Sequence, residues 1–280
     1  MATLIDGKAL AARIRTNVQA RVEQLREKPG LAVLLVGNDP ASHTYVALKE
    51  KACQEAGIRF EKRLYPPDVS ETKLIADIEE LNGRADVHGI LVQLPLPAQD
   101  PDRVVAAIRP DKDVDGFHPE NIRRLDVGLP GIVSPVALGI LKLIDVTGIP
   151  FKGQKAVIVA SSFFAHPIEV LLHDRGMDSA TVSPDDPSWT DALREADVVV
   201  VAIGRPGYIQ GNMLKPGAVV IDVGTTRVGD QLVGDADRES VKPIAGWLTP
   251  VPGGVGPMTV AMLLVSVLKA YQLQRHHKRP

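Results

Sequence analysis

The chain has 280 residues, 45% of them hydrophobic and 24% charged, with a net charge of −2. That is material for one large or two medium cored domains, and the near-zero charge supplies no field to draw nucleic acid or an anionic membrane, so neither is expected as a partner. One cysteine, Cys53, excludes an internal disulfide, and no Cys/His cluster has metal-ligand spacing, so no metal site is expected. The first residues, Met1 to Asp6, lack a charged segment followed by an apolar run. No apolar stretch is read as approaching the ~20 residues of a spanning helix, so a cytoplasmic location is expected. The basic run Arg275-His276-His277-Lys278-Arg279 reads as a solvated tail.

In chain order, residues 8–25 carry a helical period, with Leu10, Ile14, Val18, Val22 and Leu25 on one face. Residues 31–36 are continuously apolar, which predicts a parallel strand buried on both faces. Gly37-Asn38-Asp39-Pro40 ends it. Asp39 as N-cap and Pro40 as first residue then open a helix to about residue 56, where Gly57 stops it. A strand over 59–64, a helix over 71–81 and a strand over 89–93 follow, the last broken by Pro95-Leu96-Pro97. Residues 130–135 read as the crossing into a second unit. There the rhythm restarts, with strands over 156–159, 180–182, 197–202 and 219–223 and helices over 167–175 and 189–196, a Rossmann-like plan. Residues 248–256 form a Pro/Gly loop and 257–273 one apolar helix. The expected fold is α/β, with two domains around a cleft. The first takes residues 1–130 plus the C-terminal helix 257–280, and the second, Rossmann-like, takes 131–256.

Some residues along this plan can carry chemistry. Tyr45 and Lys49 are four apart on a predicted helix and so share a face. A tyrosine ring can stack on a flat heterocycle, and a lysine in a dry setting loses charge stabilisation until it can serve as a general acid or base. From the spacing alone, a solvated helix face is the better reading. Gln93 ends a strand, where α/β proteins place ligand contacts, or else simply caps it. Asp115, in Lys112-Asp113-Val114-Asp115-Gly116, can accept two N–H bonds from one edge of an aminopyrimidinone, while Asp113 reads as a turn-former. Gly253-Gly254-Val255-Gly256 is either a tight connection or a backbone that a ligand approaches closely. Pro95 and Pro252 lie in X–Pro bonds that can adopt the cis form.

Three longer stretches carry a resemblance. They are residues 36–52 around Asp39-Pro40-Ala41-Ser42 and Tyr45-Val46-Ala47-Leu48-Lys49; residues 89–97 with Pro110 to Phe117; and Thr249-Pro250-Val251-Pro252-Gly253-Gly254-Val255-Gly256-Pro257-Met258-Thr259. In content and order they resemble the bifunctional methylenetetrahydrofolate dehydrogenase/methenyltetrahydrofolate cyclohydrolase family, over nearly the whole chain. The resemblance implies a tetrahydrofolate derivative as substrate, NADP or NAD as cofactor and a homodimer. It implies Lys49 as the proton-moving residue, Tyr45 stacked on the folate, Gln93 against Lys49, and Asp115 on the pterin. Pro252 and Gly254 would lie beside the folate.

The family's cofactor loop, roughly Gly-(Arg or Ala)-Ser-x-x-Val-Gly-x-Pro, here reads Val159-Ala160-Ser161-Ser162-Phe163-Phe164-Ala165-His166-Pro167. Both glycines are replaced, and two phenylalanines add bulk. The next strand ends in Ser183-Pro184-Asp185-Asp186-Pro187, whose carboxylates would repel a 2′-phosphate but could hold a ribose hydroxyl. Val136 and Pro135 stand for the family's Thr and Cys, and Asp222-Val223-Gly224-Thr225-Thr226-Arg227 for its Asp-Val-Gly-Ile-Asn-Arg. By resemblance the cofactor contacts fall on Ala160, Ser161, Asp185 and Thr225. The expectation is therefore a methenyltetrahydrofolate cyclohydrolase whose dehydrogenase step is relaxed, with NADP bound weakly or not at all. The alternatives are full bifunctionality and a folate-binding paralogue without turnover.

Overall fold

The computed structural model describes residues 1–186 and 189–276. Pro187 and the basic tail from residue 277 onward, both singled out above, lie outside the described residues. The strands are β1 (Thr3–Leu4), β2 (Gly30–Val36), β3 (Arg59–Tyr65), β4 (Gly89–Val92), β5 (Lys155–Ala160), β6 (Asp178–Val182), β7 (Val198–Ala202), β8 (Val219–Asp222), β9 (Thr226–Val228), β10 (Gln231–Val233) and β11 (Trp247–Leu248). The helices are α1 (Gly7–Glu23), α2 (Pro40–Glu55), α3 (Glu71–Gly83), α4 (Pro101–Ala106), α5 (Pro119–Asp126), α6 (Pro135–Thr147), α7 (Ser162–His173), α8 (Trp189–Glu195), α9 (Arg238–Val241) and α10 (Val255–His276).

One compact unit comprises Ala12–Pro135 and the chain from Val260 onward. Its sheet is parallel, in the order β3-β2-β4. Every residue of β2 is buried. The period of two sends Leu31, Val33 and Leu35 into one core with Val18, Val22, Val46, Cys53, Leu264 and Val267. Ala32, Leu34 and Val36 enter another core with Leu74, Ile78 and Leu81. A strand sandwiched between two cores must be apolar at every position, which is what its sequence shows. Each fully buried Leu or Ile contributes roughly 1.5–3 kcal/mol.

The other unit comprises Met1–Ala11 and Val136–Thr259. Its sheet runs β1-β11-β8-β7-β5-β6, with all pairings parallel. β9 and β10 form a separate antiparallel hairpin. The sequence reading assigns the first residues to the domain of residues 1–130, but Met1–Ala11 group with this unit instead. The reason is hydrogen bonding: Ala2, Thr3 and Ile5 N–H donate to the carbonyls of Lys242, Gly246 and Leu248. β1 is only two residues long and has no periodicity to read. The core is β-branched, with Val159, Val199, Val201 and Val220 packed against Trp189, Leu193 and Ile209.

Two further expectations change. The helix α10 is long and apolar enough, by length and composition, to cross a membrane, which the sequence reading did not anticipate. It is a core helix: Leu263, Leu264, Val267, Leu268 and Tyr271 are buried among the residues around β2. Helix α7 starts at Ser162 rather than at Pro167, because the Ser161 hydroxyl accepts from Phe164 N–H at its cap and Pro167 is accommodated inside the helix. The Leu94–Pro95 and Val251–Pro252 bonds are both cis.

Candidate active site

The Asp39 carboxylate accepts from Ser42 N–H at 2.8 Å and opens α2 as predicted. Tyr45 and Lys49 follow one turn apart, both half-buried. Gln93 stands at the end of β4, its N–H donating to Leu34 O at 2.9 Å. The Gln93 Nε2 amide donates to Leu94 O at 2.7 Å, which turns Oε1 toward α2, and Lys49 Nζ donates to that oxygen at 2.8 Å. The lysine is thus aimed by a neutral acceptor rather than by an adjacent carboxylate. Burial lowers its pKa, and the charge of Asp115 partly opposes that shift. A lysine held this way can exchange a proton at a pH below that of a solvated amine.

The two aspartates of the Lys112–Gly116 turn differ in their surroundings. Asp113 is buried and holds the turn, accepting from Gly116 N–H (3.1 Å), His118 N–H (2.8 Å) and Asn121 Nδ2 (3.0 Å). Gly116 has φ +75°, and a Cβ there would lie 2.5 Å from Ser134 N, so only glycine fits. Asp115 accepts no hydrogen bond from the described residues. Burial raises its pKa to about 6, and the Lys49 charge works against that rise. A half-buried carboxylate with its lone pairs uncommitted, beside a desolvated lysine, is equipped to receive donors from a ligand. Lys49, Gln93 and Asp115 are therefore brought together, with Tyr45 on the same helix.

Pro252 and Gly254 belong to the other unit. Pro252 is exposed. Gly254 is buried, and a Cβ on it would lie 2.7 Å from Thr249 Cβ, so its small size is required by its own loop. In that unit β6 and β7 flank β5 on opposite sides. The chain order thus reverses at β5, and such a switch point is where open α/β sheets take ligands, beyond the carboxyl ends of the strands. Ala160 ends β5, Ser161 caps α7, and Thr225 is exposed after β8.

The positions where the family has glycine carry no backbone strain here. No non-glycine residue has a positive φ among the described residues. Val159 lies in the buried strand and Ala165 within α7, so neither position demands glycine here. Phe163 is 52% exposed and does not plug the loop from within. Asp185 is not a bare charge, since its Oδ1 accepts from Arg205 Nη2 at 3.0 Å. Behind these loops two buried carboxylates act as a hub. Asp222 accepts from Gly224, Asp235 and Ala236 N–H, each at 2.9 Å. Asp235 Oδ2 accepts from Ile203 (2.7 Å) and Gly204 (3.0 Å) N–H. Sequence reasoning passed over Arg205 and Asp235. Arg205 carried one usable signal, its place three residues beyond an apolar strand.

Residues 5–115 match the family model for the tetrahydrofolate dehydrogenase/cyclohydrolase catalytic domain, and residues 134–275 match that for its NAD(P)-binding domain. The chain belongs to the tetrahydrofolate dehydrogenase/cyclohydrolase family. Within that family it is 48% identical over 275 residues to the bifunctional protein FolD of Bordetella petrii, covering 96% of this chain and 94% of the relative. The fold matches a crystal structure of the bifunctional enzyme FolD from Campylobacter jejuni with a TM-score of 0.94 at 38% identity, covering 98% and 100% of the two chains. It matches the Trypanosoma brucei FolD, solved with NADP cofactor and an inhibitor, with a TM-score of 0.94 at 34% identity, covering 99% of each. The NAD(P)-binding match spans the altered loop and continues to residue 275. This corrects the expectation of a relaxed cofactor half: the substitutions at 159 and 165 fall where the backbone is ordinary strand and helix.

Proposed function

We propose that the chain is a bifunctional enzyme of one-carbon folate metabolism. It oxidises 5,10-methylenetetrahydrofolate with NAD(P) and hydrolyses the resulting 5,10-methenyltetrahydrofolate to 10-formyltetrahydrofolate. The observation that carries this is the Lys49 Nζ to Gln93 Oε1 hydrogen bond beside Asp115, a desolvated amine aimed by a neutral acceptor. Pure binding does not call for a lysine tuned in this way. Bound NAD(P) supplies the acceptor for the hydride that leaves the methylene carbon. The switch point of the six-stranded sheet, with Ala160, Ser161 and Thr225 at its strand ends, fits a dinucleotide without backbone strain. In the second step water adds to the methenyl carbon, the bond from that carbon to N5 breaks, and N5 takes up a proton. Lys49 moves the protons, Tyr45 stacks on the folate, and Gln93 keeps Lys49 in place. Asp115 accepts from the pterin edge. Pro252 and Gly254 border the folate, as the family resemblance implies.

The test is to follow both steps on one preparation. Dinucleotide reduction with methylenetetrahydrofolate and loss of methenyltetrahydrofolate should both be catalysed. Hydrolysis without dinucleotide reduction would return the hydrolase-only reading.

Asp115 gives this reading a pH signature. Only the ionised carboxylate offers both oxygens to two N–H donors, since protonation turns one of them into a donor, and burial raises its pKa to about 6. Affinity for a folate analogue should therefore fall as pH drops through about 6, and Asp115→Asn should flatten that limb. Asp115→Ala should weaken binding by roughly 1–3 kcal/mol, the cost of leaving buried donors unpaired. Titrations between pH 5 and 8 check both, and an unchanged dissociation constant in the alanine variant would reduce Asp115 to a turn residue.

A further inference from the structure

The segments that follow β6 and β7 leave the sheet on either side of β5, about two strand spacings or roughly 10 Å apart. The start of α7 lies between them in this order. Side chains nevertheless join the two segments. Arg205 Nη2 donates to Asp185 Oδ1 at 3.0 Å, and the Tyr208 hydroxyl donates to Pro184 O at 3.3 Å. The link therefore spans the end of β5, at the switch point where a dinucleotide would lie. The Arg205 guanidinium sits over the Tyr208 ring at 5.3 Å, and Tyr208 is stacked on Trp189 at 5.4 Å and 16°. An aromatic pair thus supports the guanidinium from one side.

As a stabilising ion pair this one contributes little, because the side chains of Arg205 and Asp185 are 45% and 76% exposed. As a selector it has the right chemistry. In a Rossmann-type site the adenosine ribose comes to the end of the strand next to the phosphate-binding strand, which here is β6. A lone aspartate at that place favours a free 2′-hydroxyl and repels a 2′-phosphate. A guanidinium offers the phosphate two parallel N–H donors, and a hydroxyl cannot use both.

We propose that Arg205 distinguishes NADP from NAD by taking the adenosine 2′-phosphate in exchange for Asp185, its resting counter-ion. The proposal rests on the dinucleotide reading above and adds to it a residue and a direction of preference. Calorimetric titration of the full chain with 2′,5′-ADP and with 5′-AMP isolates the 2′-phosphate from the nicotinamide chemistry. The native chain should bind 2′,5′-ADP at least tenfold more tightly. Arg205→Gln should reduce that ratio to near one, and Arg205→Lys should give an intermediate ratio, because it keeps the charge and loses the fork. Asp185→Asn should raise the ratio several-fold by removing the competitor. Were Arg205 merely structural, Arg205→Gln would weaken both nucleotides alike and leave the ratio unchanged, which would overturn the proposal, as would a ratio that falls in Asp185→Asn. A native chain that binds neither nucleotide would instead remove the dinucleotide reading itself.

Discussion

Lys49→Met should abolish methenyltetrahydrofolate hydrolysis, with a fall of about 10²–10⁴-fold, the span a positioned general acid–base supplies. Affinity for a folate analogue should stay within a few-fold of the native value. Methionine is close to lysine in length and shape, so the half-buried position keeps its packing. What disappears is the amine whose Nζ donates to Gln93 Oε1, the group that burial has moved toward a usable pKa. On the proposed reading folate affinity rests on Asp115 and Tyr45, which the substitution leaves in place. A companion variant tests the tuning. The charge of Asp115 raises the Lys49 pKa, so Asp115→Asn should lower it further. The limb of the rate profile set by Lys49 should then move to lower pH at saturating substrate. Near-normal hydrolysis by Lys49→Met would remove this residue from the mechanism.

How far the sequence revealed the molecule depended on whether the signal was local. The β2 run and the Asp39-Pro40 start of α2 could be read because each states its own environment: unbroken apolarity for a strand between two cores, and a side-chain acceptor for a helix start. Asp113 could be read as a turn-former, because an aspartate ahead of a glycine signals its own turn, and it accepts from Gly116 and His118 N–H there. The Val159 and Ala165 changes misled, because a glycine's backbone angle cannot be inferred from the residue that replaces it. The structure shows these positions as ordinary strand and helix. Asp185 looked like a bare repulsive charge because its partner, Arg205, is 20 residues away and is reached only through the order of β6, β5 and β7. The short β1 was invisible for the same reason, since it is held by non-local pairing with β11. Helices α4 and α5 are one to two turns long, too short for a period; Asp100 caps the first with its carboxylate, and a ring nitrogen of His118, an unusual capping residue, caps the second.

The largest stability effect expected is at Asp222. Asp222→Ala should cost about 3–5 kcal/mol, a large share of the 5–15 kcal/mol that holds a typical domain together. The carboxylate is 3% exposed and closes two loops at once, through Gly224 N–H in one and the consecutive Asp235 and Ala236 N–H in the other. Its own N–H donates to Thr249 Oγ1 at 2.7 Å, which ties the loop before α10 to the same point. Alanine would leave three backbone donors facing a dry space, each costing roughly 1–3 kcal/mol. Relief of repulsion from the buried Asp235 offsets part of this, so the sum stays below the simple total. Asp222→Asn should lose less, because its amide oxygen still accepts. Burial raises the Asp222 pKa from 3.8 to about 6 against the pull of its N–H bonds. A carboxyl whose folded pKa is raised contributes most below its unfolded value and loses that contribution as pH rises through the folded one. The gap between native chain and Asp222→Ala should therefore narrow from about pH 4 to about pH 6 and stay level above. Urea unfolding of both variants beside the native chain, at pH 5 and pH 8, measures the loss and its slope. A loss under about 1 kcal/mol at both pH values would mean that solvent satisfies the three donors and that Asp222 is not the point on which these loops depend.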